Sequence, residues 1–159
     1  MAATSHGSAA RPKASPAVSR SSNSDDDGFS KNLCRAMRGD TALIGTNYVS
    51  SGPQHVYVFQ RSGTTWTLET TLDFNASPTG SYVSSVAISP DESMIAIGMP
   101  TQYPGAGRVF TFVRDGGSWV PDRTFVDEGP GNPGGVDGFG AALAFLYESF
   151  LIGAPQDGA

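Results

Sequence analysis

The sequence predicts an all-β chain made of repeated, antiparallel four-stranded units, and three observations carry that expectation. Short apolar and aromatic runs alternate with turns rich in Gly, Pro, Asp and Ser. Twenty glycines and 11 prolines accompany a hydrophobic content of only 38% and a charged content of 16%, a balance that suits short strands and many turns better than packed helices. The two tryptophans, Trp66 and Trp119, lie 53 positions apart in matching surroundings, so the chain repeats itself.

An ungapped shift of 53 positions places Ile44 on Ile97, Gly45 on Gly98, Gly52 on Gly105 and Val56 on Val109. It continues with Phe59 on Phe112, Arg61 on Arg114, Gly63 on Gly116, Trp66 on Trp119 and Thr71 on Thr124. Phe29/Tyr82, Leu33/Val86 and Tyr57/Phe110 are conservative matches between them. A third copy opens at Gly138-Phe139-Gly140-Ala141-Ala142-Leu143 and continues through Phe150-Leu151-Ile152-Gly153-Ala154-Pro155. The division expected is 1–27 as a disordered N-terminal tail, 28–78 as a first unit, 79–133 as a second and 134–159 as the truncated start of a third.

In the second unit, Ser85 to Ser89 reads as strand one and Pro90-Asp91-Glu92 as a tight turn. Met94 to Gly98 is strand two, Pro100 to Gly107 a Gly/Pro loop, and Val109 to Val113 strand three. Asp115-Gly116-Gly117 turns the chain into strand four, Trp119 to Phe125. The first unit gives the same order, with turns at Arg38-Gly39-Asp40 and Ser62-Gly63-Thr64. Aromatic and β-branched residues fill the strands. Ala42-Leu43-Ile44, Val56-Tyr57-Val58-Phe59 and Met94-Ile95-Ala96-Ile97 are nearly continuous apolar runs, which predicts sheets covered on both faces. Blades stacked in a β-propeller meet that condition, so the expected architecture is a partial propeller of about two and a half blades. Glycine at the end of strand two suits close backbone approach, and the proline after it ends the strand.

Phe139-Gly140 followed by Gly153-Ala154-Pro155 resembles the FG-GAP repeat of integrin α-chain-like propellers. The likeness covers residues 28 to 159. The first unit keeps Phe29 but has Ser30 and Thr46-Asn47 in place of Gly and Ala-Pro; the second has Tyr82-Val83 and Gly98-Met99-Pro100. The resemblance implies a binding module at the cell surface or outside the cell. Many members carry a calcium loop of the form Asp-x-Asp-x-Asp-Gly-x-x-Asp between strands one and two. Here those connections are Arg38-Gly39-Asp40, Pro90-Asp91-Glu92-Ser93 and Tyr147-Glu148-Ser149, too short and too poor in carboxylates for an ion that takes six to eight oxygens. Asn23-Ser24-Asp25-Asp26-Asp27-Gly28 has half the pattern in the wrong place, with Lys31 where the last ligand belongs. The reading is therefore a variant lacking the calcium loop, with no metal and no cofactor.

Other signals are weaker. The net charge of −5, without a basic run, points away from nucleic acid. No apolar stretch approaches the length of a membrane span, so membrane insertion by this segment is not expected. Met1 to Ser24 has no apolar core, hence no signal peptide, and its Ala/Ser/Arg/Lys content suits either a disordered tail or a transit peptide. Cys34 is the single cysteine, so no disulfide framework forms, and a buried structural role is expected. Arg38-Gly39-Asp40 spells an adhesive tripeptide, but a hairpin turn wants Gly and Asp there anyway. Asn75-Ala76-Ser77 is a glycosylation sequon with Pro78 directly after it. His55, at a strand start, cannot build a zinc site with one cysteine, and no nucleophile–base arrangement is readable. Asp91/Glu92 and Asp127/Glu128 are neighbours in turns rather than acid/base pairs.

The expected function is a non-catalytic, protein-interaction or adhesion-type repeat segment of a larger protein, with a protein or glycan ligand. The loops after strand two would do the binding, with Tyr48 and Tyr103 as contact residues. The alternatives are the propeller portion of an enzyme whose catalytic part lies elsewhere, or a non-functional gene fragment. Two and a half units cannot close a ring, so self-association through open blade edges is also expected.

Overall fold

A computed structural model describes residues 34–46, 54–74, 82–101, 107–127, 138–147 and 149–155. Among them are ten strands and no helix: β1 (Arg35–Arg38), β2 (Thr41–Gly45), β3 (His55–Ser62), β4 (Thr65–Asp73), β5 (Ser85–Ile88), β6 (Met94–Met99), β7 (Arg108–Asp115), β8 (Ser118–Val126), β9 (Ala142–Leu146) and β10 (Ser149–Gly153). They form three antiparallel sheets, β1-β2-β3-β4, β5-β6-β7-β8 and β9-β10. Each is a meander, with every strand beside its sequence neighbour. The expected tail, the sequon and the Asn23–Gly28 acidic run lie outside the described residues.

The two large sheets repeat in register from their second strands onward. Gly45 sits opposite Val56 and Gly98 opposite Val109. Arg61 faces Trp66, and Arg114 faces Trp119. In both pairs the guanidinium lies over the indole, 5.5 Å from the ring centroid in the first sheet and 4.5 Å in the second. Both third-to-fourth strand pairings are also broken by a bulge at corresponding places, between Val58 and Phe59 and between Phe110 and Phe112. A bulge sharpens the local twist and re-aims the side chains beside it.

The first hairpins differ. β1 and β2 join through Gly39 and Asp40, pairing Arg38 with Thr41. β5 and β6 pair Ile88 with Ile95 around a longer turn. Gly39 adopts φ +52, as a two-residue hairpin turn needs. In the second unit Pro90 has no N–H to give, and Ser89, Asp91 and Ser93 close the turn instead: Ser89 Oγ donates to Asp91 Oδ1 at 2.6 Å and Ser93 Oγ to Asp91 Oδ2 at 2.7 Å. The strands are displaced by two residues relative to the first unit, so each side chain keeps its face.

Apolar runs predicted two-sided coverage, and the structure delivers it in one sheet. Every residue of β6 from Ile95 to Met99 is buried. β2 instead alternates buried and half-buried, as does the start of β3. The second sheet lies between the other two, while the outer face of the first, with Ala42, Ile44, Tyr57 and Phe59 half-buried, has no covering element among the described residues. β5 touches β1 and β2 on one side and β9 on the other. The core is the seam between the large sheets, where Leu43, Val58, Leu72 and Phe74 cluster with Ile95, Ile97, Phe110, Phe112 and Trp119.

Candidate functional site

Tyr48 and Tyr103, the contact residues expected from sequence, lie outside the described residues, so the site is built from what the sheets bring together. Two junctions stand out: the closed seam between the first and second sheets, and an open groove between the second sheet and the β9–β10 hairpin.

The seam is closed by shape and charge. Phe74 packs against Phe110 with ring centroids 5.3 Å apart. Glu69 lies in the bulge of β4 and accepts two hydrogen bonds from Arg114 of β7, 2.8 Å from Nη1 to Oε1 and 3.0 Å from Nη2 to Oε2. That guanidinium also covers Trp119, so one residue ties two sheets. Thr41 Oγ1 donates to Glu92 Oε2 at 2.7 Å across the same seam. Glu92 adopts φ +58, a conformation unfavourable for a residue with a Cβ. Cys34 Sγ lies near Gly45 and Val83, and burial pushes its thiol up to about 11. The thiolate is the nucleophilic form; Cys34 is half-buried at the margin of the core cluster rather than fully buried as expected.

The second junction stays open. Its floor is Thr111 and Phe125 of the second sheet, its wall Phe145 and Phe150 of the hairpin, and its polar rim Asp91, Asp122 and Arg123, with Arg123 Nε 3.9 Å from Asp122 Oδ1; the groove encloses about 460 Å³. Phe125 meets Phe150 edge-on with centroids 5.3 Å apart, and Phe150 lies 5.4 Å from Phe145. Thr111 Oγ1 donates to Asp122 Oδ2 at 3.1 Å. Asp91 is held low, to about 2, by the hydroxyls of Ser89 and Ser93 and the Ser93 amide. The groove thus presents aromatic faces beside a mixed-charge rim of two carboxylates and one guanidinium.

The remaining sequence candidates have local explanations. His55 Nδ1 lies 2.8 Å from Asp73 Oδ1 at the start of β3. Asp40, of the Arg38-Gly39-Asp40 turn, accepts from Arg61 Nε at 2.8 Å. Asp91 and Glu92 diverge, one into its own turn and the other across the seam. Among the described residues no group of three or more His, Cys, Asp or Glu is placed to hold a metal ion, and no helix is long and apolar enough to cross a membrane. The aromatic groove went unread in the sequence. Its signal was nevertheless present: Thr111, Asp122 and Phe125 occupy the places of Val58, Glu69 and Leu72 one repeat earlier. In comparisons with known proteins the chain gives no match to a family model, a curated protein or a solved structure.

Proposed function

We propose that the chain is a segment of an FG-GAP-like β-propeller whose blades lack the calcium loop, and that it serves a larger protein as a non-catalytic interaction or adhesion module. One observation carries the architectural part. Two four-stranded meanders keep the same second-to-fourth strand register at a spacing of 53 residues, and the first strand of the second lies against the first strands of its neighbours. Radially arranged blades place their first strands together in this way. The short connections Gly39–Asp40 and Ser89–Ser93 support the variant without a calcium loop.

The binding role follows by analogy with the fold, since propellers present ligand-binding loops on one face. The loops after β2 and β6, with Tyr48 and Tyr103, are its proposed contacts, and a protein or glycan its ligand class. Glycan and extracellular-protein arrays probed with the labelled chain test this. The expected result is a saturable ligand whose binding falls about tenfold or more in the Tyr48→Ala/Tyr103→Ala double variant. No saturable binding, or binding unchanged by that variant, would overturn the role assigned to these loops.

A further inference from the structure

The β1–β2 and β9–β10 hairpins turn in the same register. Arg38 pairs with Thr41 around Gly39, and Leu146 pairs with Ser149 around Tyr147. Both of these turn residues have a left-handed backbone, with φ +52 at Gly39 and φ +48 at Tyr147. Glycine takes that conformation freely, whereas a bulky side chain does not. Burial does not compensate, because Tyr147 is 88% exposed. A strained, exposed aromatic residue where the same chain elsewhere uses glycine calls for a reason other than packing. The neighbouring turn differs as well. Between the first two sheets, the Glu92 carboxylate fills the space beside Gly39, and Thr41 donates to it. Between the β5–β6 turn and the β9–β10 turn, no hydrogen bond or ion pair forms among the described residues. A depression of about 460 Å³ lies there instead, lined by Pro90, Asp91, Leu146, Tyr147 and Ser149.

We infer that this depression binds a neutral pyranose unit of a glycan, with Tyr147 as its stacking platform and Asp91 as its hydroxyl acceptor. The C–H face of a pyranose ring is weakly positive and largely apolar, so it packs on the negative face of an aromatic ring. Pro90 and Leu146 add apolar area to the same contact. Asp91 is held in place by its own turn: Oδ1 accepts from Ser89 Oγ and the Ser93 amide, and Oδ2 accepts from Ser93 Oγ. A carboxylate has about four acceptor sites, so Oδ2 keeps one for a ligand hydroxyl. Ser149 adds a hydroxyl that can donate or accept. Charge disfavours ionic ligands. Asp91 and Tyr147 also line the aromatic groove, whose rim carries Asp122 and, 3.9 Å from it, Arg123. The two carboxylates oppose an anion. Arg123 opposes a cation, and the charge of Asp91 is already taken up by three hydrogen bonds. A neutral polyol can donate to the carboxylates and accept from the guanidinium without either penalty. The site lies at the turn end of β6, opposite the loops that follow β2 and β6. It does not rest on the role proposed for Tyr48 and Tyr103, and either can fail alone.

The probe is an array of neutral, sulfated and amino-sugar oligosaccharides incubated with the full chain, and the strongest neutral binder is then titrated by calorimetry. Saturable binding confined to neutral oligosaccharides is expected. Tyr147→Gly should weaken it about tenfold or more, and Tyr147→Phe, which keeps the ring, should stay within about threefold of the native chain. Urea unfolding separates this from a folding defect. Glycine relieves the φ +48 backbone, so the midpoint of Tyr147→Gly should equal or exceed that of the native chain. The Tyr48→Ala/Tyr103→Ala double variant should bind the same neutral oligosaccharide unchanged. An array without neutral binders, a preference for sulfated or amino sugars, or full binding by Tyr147→Gly would each overturn the inference. So would a binding loss in Tyr147→Gly that is matched by a lower urea midpoint, or one that the double variant alone produces.

Discussion

Replacing Gly98 with alanine separates close packing from backbone conformation as the reason for a repeated glycine. Gly98 does not need a left-handed backbone; what it lacks is room. A Cβ there would press on the Gly140 carbonyl oxygen and on Ser85 Oγ, with the Gly140 carbonyl carbon at 2.9 Å. Backbone cannot rotate away as a flexible side chain would, so β5 and the Gly138–Ala141 turn must separate. Overpacking of this kind costs about 1–3 kcal/mol. The Ser85 Oγ donation to Gly140, 2.7 Å in the native chain, would weaken for about 0.5–1.5 kcal/mol more. Reduced freedom of the unfolded chain returns about 0.4–1 kcal/mol. The expected net loss is about 2 kcal/mol, read as a lower urea midpoint with an unchanged slope. Gly153→Ala is the control, since its nearest neighbour would be Ala142 Cβ at 3.3 Å, and it should stay within about 0.5 kcal/mol of the native chain. Gly63→Ala meets nothing within 4 Å but carries φ +61, so it should cost about 1 kcal/mol for conformation alone. Equal midpoints for Gly98→Ala and Gly153→Ala would refute the close-approach argument.

Three further expectations follow from the seam and the turns. A double-mutant cycle on Glu69→Ala and Arg114→Ala should give a coupling of about 0.5–1 kcal/mol that shrinks with added salt, while the more exposed Asp40–Arg61 pair should give less. Trp119→Ala should destabilise by about 3–5 kcal/mol, because the ring is buried in the seam. Trp66→Ala, at the half-buried equivalent position, should cost about 1–2 kcal/mol; equal losses would argue against one-sided coverage of the first sheet. Asp91 titrates at about 2 in the folded chain against an ordinary 3.8. Its contribution to stability is therefore present above the ordinary value and is lost as pH falls through about 2. Acid titration of the native chain and of Asp91→Asn should show that loss only in the native chain, and parallel profiles would remove the Ser89–Asp91–Ser93 turn as its cause.

Strand order and turns were legible because their determinants are local. Glycine and proline punctuate the chain, and the aromatic and β-branched runs between them have few other options. The expected strands of the second unit, from Ser85 to Phe125, agree with β5 to β8 to within one or two residues at their ends. The close approach expected at the glycine ending strand two was also readable, since Gly45 and Gly98 recur where the pattern leaves no space for a side chain. The displaced first hairpin was less visible. A shift alignment compares residue types, whereas the turn was decided by Pro90 and by hydrogen bonds that Asp91 makes with its neighbours.

Burial and charge pairing are properties of neighbours in space, and there the sequence misled or was silent. Ala42-Leu43-Ile44 and Met94-Ile95-Ala96-Ile97 look alike as apolar runs, yet among the described residues only the second lies between two sheets. Nothing in the order of residues said that Arg114 would take Glu69 across a seam, or that Arg61 would take Asp40 within its own sheet. By itself the sequence determined the repeated, antiparallel all-β unit, because strand and turn preferences act over a few residues. Only the tertiary structure decided which faces are covered and left Thr111, Asp122 and Phe125 lining an open groove, because coverage depends on which sheet arrives next to which.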